Sequence, residues 1–342
     1  MLTRLEIENF RGFHRHVIPL RSTTIIVGPN NTGKSTIVEA LRLIAIVAAR
    51  IPALTFRDPP EWLLEHADAA VGVRPSLQGT GVDLRAVFHQ YQEPPAVITG
   101  RFEHGESIRV FVGPDGQVHS VIRDAGGALV TTRARAIAAR PPVVAIEPQV
   151  APLQRDERLL MEDTIRRNLG STLAPSHFRN QLHYLWERFE DFKRLAEETW
   201  PGFTIDELVL EGDGLSGDTV LRLLVRDGPF VGEIALMGHG LQMWLQTMWF
   251  LARSHAAGTV ILDEPDVYMH PDLQRRLIRY LRRNTGRDRT YRRPLDQQSI
   301  VSVALSHRDT GRPGSSRTVG WRPQPAACAL DDSAPLHLGG GR

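Results

Sequence analysis

The chain of 342 residues predicts an α/β fold with a mostly parallel core sheet, an inserted antiparallel β meander and a helical lobe. Three observations predict it. An apolar run of buried-strand type, Thr23–Val27, is followed by apolar residues at helical spacing from Ser35 to about Arg50. A second such run, Thr259–Leu262, stands between two helical patterns. Between them, over residues 52–135, short strand-like runs are split by turn residues.

The elements follow in order. Leu5, Ile7 and Phe10 mark a first strand, and Thr23–Val27 a second. Ile37, Leu41, Ile44, Val47 and Ala48 lie on one face of a helix that Pro52 stops. Residues 52–80 are irregular and rich in Pro, Asp and Gly. "AVITGRFEH", "SIRVFVGPDGQVHSVIRD" and "GALVTT" then read as meander strands, and Pro-Asp-Gly in the second supplies a hairpin turn. Residues 150–200 are helical by pattern, with "FRNQLHYLWERFEDFKRLAEETW" ending before Pro201. "FTIDELVLEG" and "TVLRLLVRDG" are strands, "GLQMWLQTMWFLARSH" is a helix, "TVILDE" a buried strand and "HPDLQRRLIRYLRR" a helix. The expected division is one α/β body over 1–286, with the meander at 52–135 and the helical lobe at 150–200, and an irregular tail over 287–342.

Composition narrows the classes. Hydrophobic residues make up 42%, and the longest apolar segment carries Glu39, Arg42 and Arg50, so it reads as a buried helix and not a membrane span. The N-terminus has no signal-peptide pattern, and a single cysteine, Cys328, excludes a disulfide framework or a cysteine metal site. The expected compartment is the cytoplasm. A net charge of +2 implies no nucleic-acid partner by itself. Of the 41 basic residues only Lys34 and Lys193 are lysines, a bias that suggests GC-rich coding DNA.

"GPNNTGKST" comprises Gly28, Pro29, Asn30, Asn31, Thr32, Gly33, Lys34, Ser35 and Thr36. It satisfies G-x-x-x-x-G-K-[ST] with a strand before it and a helix after it, the context of a phosphate-binding loop. Glycines let the backbone wrap a phosphate, and loop amides at a helix N-terminus supply positive potential. Lys34 is placed to reach β- and γ-phosphates, and the Ser35 hydroxyl to ligate Mg²⁺. Asp263 and Glu264 end the second apolar run, at the sheet edge where ligands bind. With a P-loop present they form a Walker B pair, Asp263 on the Mg²⁺ shell and Glu264 as general base for the attacking water. The fold is thereby a P-loop NTPase, with ATP and Mg²⁺ as cofactors. "LMGHGLQMWLQ" feeds a Gly-x-Gly turn into a helix, a further helix N-terminus with exposed amides.

The P-loop, the "GHGLQ" helix and "ILDEPDVYMHPDLQRRL" together resemble the ABC-type ATPases of the RecF/SMC and OLD-like group, as does the opening "LEIENFRGF". The resemblance covers residues 1–50 and 140–284. It places Gly238, His239 and Gly240 at the signature motif, which touches the γ-phosphate of ATP on the other subunit of a head-to-tail homodimer. The usual serine is missing there, and His239 stands as a γ-phosphate contact or a plain surface residue. The resemblance also implies a nucleotide contact at Arg11, whose alternative is a solvated arginine. The Q-loop glutamine is Gln149, with Gln154 as competitor. "HFRNQL" at 177–182 recurs in such proteins. Its histidine has no second spaced metal ligand, and His270 reads as structural.

The resemblance implies ATP hydrolysis in a sandwich dimer serving DNA repair or phage defence, with DNA and a nuclease or effector as partners. The paired acidic motifs of the Toprim nuclease common in the OLD group are absent. Two alternatives stay open: the ATP-binding subunit of a transporter, and a truncated nucleotide-binding protein with little turnover. The second arises from the tail, where residues 288–342 contain no Lys, Glu, Phe, Asn or Met. Such composition fits GC-rich DNA read out of frame. Read one base later, the codons of Tyr291–Leu295 permit Ile-Val-Ala-His-Ser, a strand ending in the switch histidine that the family carries. The in-frame rival is "SIVSVALSH", ending at His307.

Overall fold

The computed structural model describes residues 1–285, except 30, 54, 79, 140–141, 213–217, 266–268 and 270, and the backbone of 299–303 and 327–329. Strands β1 (Leu2–Phe10) and β2 (Phe13–Pro19) form a hairpin, and β3 (Thr23–Ile26) runs through the P-loop into helix α1 (Lys34–Arg50). Then come β4 (Phe56–Arg57), β5 (Gly72–Val73), β6 (Ala96–Phe102), β7 (Ser107–Val112) and β8 (Val118–Arg123), followed by α2 (Arg133–Ala139) and β9 (Val144–Ile146). The next stretch holds β10 (Glu157–Arg158), α3 (Glu162–Asn168), α4 (Phe178–Tyr184), α5 (Phe189–Thr199), β11 (Phe203–Glu211), β12 (Val220–Asp227) and β13 (Phe230–Glu233). The chain continues through α6 (His239–Arg253), β14 (Thr259–Asp263), α7 (Pro271–Thr285), β15 (Ser299–Val303) and β16 (Ala327–Ala329).

Three sheets result. The core sheet has the order β16-β3-β15-β14-β9, parallel at every pairing except β16 with β3. The meander forms an antiparallel sheet of order β2-β1-β6-β7-β8-β5-β4, so the N-terminal hairpin joins it as its near edge. A third sheet, β10-β12-β11 with β13 on β12, stands beside the helical lobe.

Side-chain alternation divides the apolar residues between the two faces of the core sheet. Ile26, Val144 and Ile261 pack with Ile37, Leu41, Ile44 and Val47 of α1 and with the inner face of the meander. Val260 and Leu262 point the other way, into Leu241, Trp244, Leu245 and Met248 of α6 and into Phe178 and Phe192 of the lobe. Two apolar cores thus clamp one sheet, the layering of an α/β domain. At Gly100 a Cβ would stand 3.1 Å from Ile44 and Leu2, so α1 lies close on the meander sheet there. Among the described residues no helix is long and apolar enough to cross a membrane.

Three local expectations are corrected. The Pro114–Gly116 turn forms, with Gly113 N–H donating to Gln117 O at 2.8 Å, but "GALVTT" makes only an isolated bridge between Arg123 and Leu129. The long lobe helix breaks at Leu185 (φ −110°, ψ 41°), which buries its side chain while Trp186 stays exposed. Residues 287–342 are not wholly irregular, since β15 and β16 lie in them and both enter the core sheet. Tyr291–Leu295, His307 and His270 lie outside the described residues.

Candidate nucleotide site

The loop between β3 and α1 has the shape that its sequence demands. Gly33 sits at φ +90° as the N-cap of α1, and a Cβ there would meet the Phe13 ring at 2.7 Å. Only glycine satisfies both constraints. At Gly28 a Cβ would come within 2.8 Å of Thr32 Oγ1, whose hydroxyl donates to Pro29 O. Asn31 also lies in the left-handed region, at φ +64°. Asn30 is outside the described residues.

Lys34 is buried, and its Nζ donates to Gly28 O at 2.5 Å and to Pro29 O at 2.7 Å. The ammonium is therefore held over the mouth of the loop. Ser35 is exposed on the first turn of α1, while Thr36 turns inward. Backbone amides at a helix start, an ammonium and an accessible hydroxyl form the donor set that a nucleotide phosphate with Mg²⁺ requires. The residues fit the group.

Asp263 ends β14, one strand removed from β3 with β15 between them. Arg42 of α1 reaches its carboxylate at 3.6 Å, tying the P-loop helix to the Walker B strand. Burial pushes the Asp263 carboxyl up to about 6; Arg42 opposes this and Glu264 adds to it. A divalent cation between Ser35 and Asp263 would hold the carboxylate ionised. Glu264 follows at φ +49°, a strained conformation for a non-glycine residue.

The remaining expected residues are placed as follows. Arg11, at φ +49°, donates from Nη2 to Glu39 Oε1 at 2.8 Å and to Asp83 O at 2.7 Å, which anchors it to the second turn of α1. Gln149 is exposed, in the loop that leaves β9. Gln154 is also exposed, and its backbone O accepts from Arg179 Nη1 at 3.1 Å. Gly238, His239 and Gly240 open α6, with Gly238 as N-cap and His239 exposed. They lie on the opposite side of the core sheet from α1, so the starts of α1 and α6 belong to different faces.

Three features escaped the sequence reading. Glu147, one residue past β9, donates its N–H to Ile261 O at 2.8 Å and buries its carboxyl completely, which pushes it up to about 8. Gln242 of α6 accepts from Leu153 N–H at 2.8 Å and donates to Met237 O at 2.8 Å and Ala235 O at 3.2 Å. One amide therefore joins the segment after Gln149 to the segment before Gly238. In "HFRNQL", Arg179 is fully buried between Glu157 (3.2 Å) and Glu233 (2.5 Å), and Asn180 donates to Glu157 Oε1 at 2.9 Å. The signal available was a charged residue inside an apolar helical pattern, which without its partners also fits a solvated face.

Comparison with known proteins agrees with this geometry. Residues 1–62 match the family described as "AAA ATPase domain", and residues 148–293 the one described as "AAA domain, putative AbiEii toxin, Type IV TA system". An OLD nuclease of Thermus scotoductus is 26% identical, over 82% of this chain and 56% of that protein, so the chain spans little more than half of that relative's length. In fold it is similar to an Smc head bound to the C-terminal winged-helix domain of ScpA (TM-score 0.51, 17% identity, 90% of each chain). An Smc head domain with an extended coiled coil, bound to the C-terminal domain of ScpA derived from Pyrococcus furiosus, is comparable (TM-score 0.50, 16% identity, 89% of each chain). With Walker motifs at the ends of β3 and β14 and these likenesses around them, the chain has a P-loop NTPase fold similar to that of the RecF/SMC/OLD-like ATPases.

Proposed function

We propose that the chain binds Mg-ATP at Lys34, Ser35 and Asp263, hydrolyses it with Glu264 as general base, and closes head to tail on a second copy when ATP is bound. The observation that carries this is the pairing of Arg42 with Asp263, which supports a single site built from the P-loop helix and the Walker B strand. The attacking water would give its proton to the Glu264 carboxylate while Lys34 neutralises charge on the phosphates. Gly238 and His239, on the far face of the sheet, would then complete the site of the partner copy. By its likeness to an OLD nuclease, the role is DNA repair or phage defence in the cytoplasm, with DNA and a nuclease or effector as partners. The described residues give no support to impaired turnover, since β15 fills the slot beside the P-loop strand.

The test is ATP turnover together with light scattering for the wild type and Glu264→Gln. Turnover should fall by roughly two or more powers of ten in the variant, the loss expected for a general base, with an ATP-dependent dimer accumulating. Equal turnover in the two proteins removes Glu264 from the mechanism. Negligible turnover in both favours a nucleotide-dependent binding protein.

A further inference from the structure

The outer face of the meander sheet carries an arrangement that folding alone disfavours. Arg4 of β1 stands directly opposite Arg101 of β6, Arg101 opposite Ser107 of β7, and Ser107 opposite Arg123 of β8. In the adjacent row Thr99 stands opposite Arg109, whose Nε donates to the Thr99 hydroxyl at 3.2 Å. Like charges directly across a ladder destabilise it. Here Arg4 (2.9 Å) and Arg101 (2.8 Å) share one carboxylate, Glu6, and Arg109 has Asp68. Four guanidinium groups thus face two carboxylates. Nearby Glu8 is taken by Arg15 and Glu103 by the N-terminal ammonium, so neither offsets the row. Arg101, Arg109 and Arg123 line a concavity together with Thr99, Ser107, Val121 and the Asp68 carboxylate that pairs with Arg109. Bidentate cations around hydroxyl donors are chemistry for phosphate oxygens.

We propose that this row is a docking surface for the phosphodiester backbone of double-stranded DNA; it rests on the reading above and names where that partner would lie. Three strand spacings carry the row about 14 Å from Arg4 to Arg123, close to the major-groove width of about 12 Å. No aromatic ring stands among these residues, which favours a stacked duplex over single strands, whose bases need stacking platforms. The contacts are to backbone and would read no sequence.

The test is duplex DNA binding by the full chain without nucleotide, across a salt series, with ATP binding measured on the same samples. Arg101→Ser, Arg109→Ser and Arg123→Ser together should lower the slope of log affinity against log salt by about 2.7, at about 0.9 per lost contact. The corresponding Arg→Lys triple should keep the slope, and Asp68→Asn should tighten binding by releasing Arg109. Retained ATP binding in the serine triple shows that the P-loop reading stands or falls separately. If the serine triple does not fold, the lysine triple and Asp68→Asn decide. An unchanged slope in a folded serine triple, weaker binding by Asp68→Asn, or wild type that binds phosphatidylglycerol vesicles and not the duplex overturns the proposal.

Discussion

Lys34 and Glu147 are both buried ionisable groups, and they differ in how their charge is supported. The Lys34 ammonium has two carbonyls at hydrogen-bond distance. Lys34→Ala should weaken ATP binding by about two powers of ten by calorimetry, since charge-assisted hydrogen bonds contribute about 1.5–3 kcal/mol each; unchanged affinity would refute the P-loop assignment. The Glu147 carboxyl is buried without an ion pair within 4 Å among the described residues, and its surroundings are Thr247, Arg253 and Asp263 at the end of the neighbouring strand β14. Burial raises its pKa above the unfolded value, so the folded chain holds the proton more tightly. Stability from this group is present below about pH 4.5 and is lost as pH rises towards about 8. Glu147→Gln should flatten that loss and leave the variant the more stable protein at pH 8, read from denaturant midpoints at a series of pH values. A parallel decline in both proteins would show that Glu147 is not the titrating group. Lys34 was legible because the P-loop motif encodes local backbone shape, with glycine where φ is positive. Glu147 was not, because its burial comes from the pairing of β9 with β14, a contact between residues over a hundred positions apart.

Helix α4 shows how an element can be held by charge inside an apolar lobe. Arg179 is the hub, joining Glu157 at the start of β10 to Glu233 at the end of β13, and Glu233 also accepts from Ala235 N–H at 2.7 Å in the turn before Gly238. Removing one member strands the others in low dielectric. Arg179→Ala should cost about 3–5 kcal/mol by chemical denaturation, and a loss under 1 kcal/mol would mean that solvent reaches the network. Helix α6 acts over a longer reach. Gln242 and Gln246 hold the 151–153 segment at 2.8 Å each, so the loop bearing Gln149 and the start of α6 share one set of hydrogen bonds. His239→Ala should leave ATP binding by the monomer intact and weaken ATP-dependent dimerisation, measured by light scattering against protein concentration. A matching loss of monomer affinity would place His239 in its own chain's site. Helices α1, α6 and α7 were legible in the sequence because each carries apolar residues at helical spacing. The break at Leu185 was not, because a one-residue departure barely disturbs a 3.6-residue period.

At the scale of the whole molecule, the core sheet depends on a strand supplied from residue 299 onward. β15 pairs in parallel with β3 over Ile300–Val303 and with β14 over Ser299–Val303. It therefore stands between the Walker A and Walker B strands. The P-loop motif, the Walker B motif and the main helices were legible in the sequence, since each carries a local pattern. By sequence alone the tail fits an out-of-frame origin, because "RTYRRPLDQQ" occupies the distance at which a strand is expected. The structure instead gives that slot to the in-frame rival, some residues later, because strand order is set by pairing with β3 and β14 and not by spacing along the chain. A backbone test separates the two. Val301→Pro removes an N–H from a central strand with a partner on either side and introduces a ring that such strands exclude. The variant should melt roughly ten degrees or more below the wild type, since about 1 kcal/mol moves a large domain by about 2–4 °C, and it should lose ATP binding as β3 and β14 separate. A chain cut after Gln298 should behave at least as badly. If both retain the wild-type melting temperature and nucleotide affinity, residues 299–303 do not hold the core together. The strand beside the P-loop would then have to come from the shifted reading frame, where sequencing of the gene past residue 290 should show an apolar run ending in histidine.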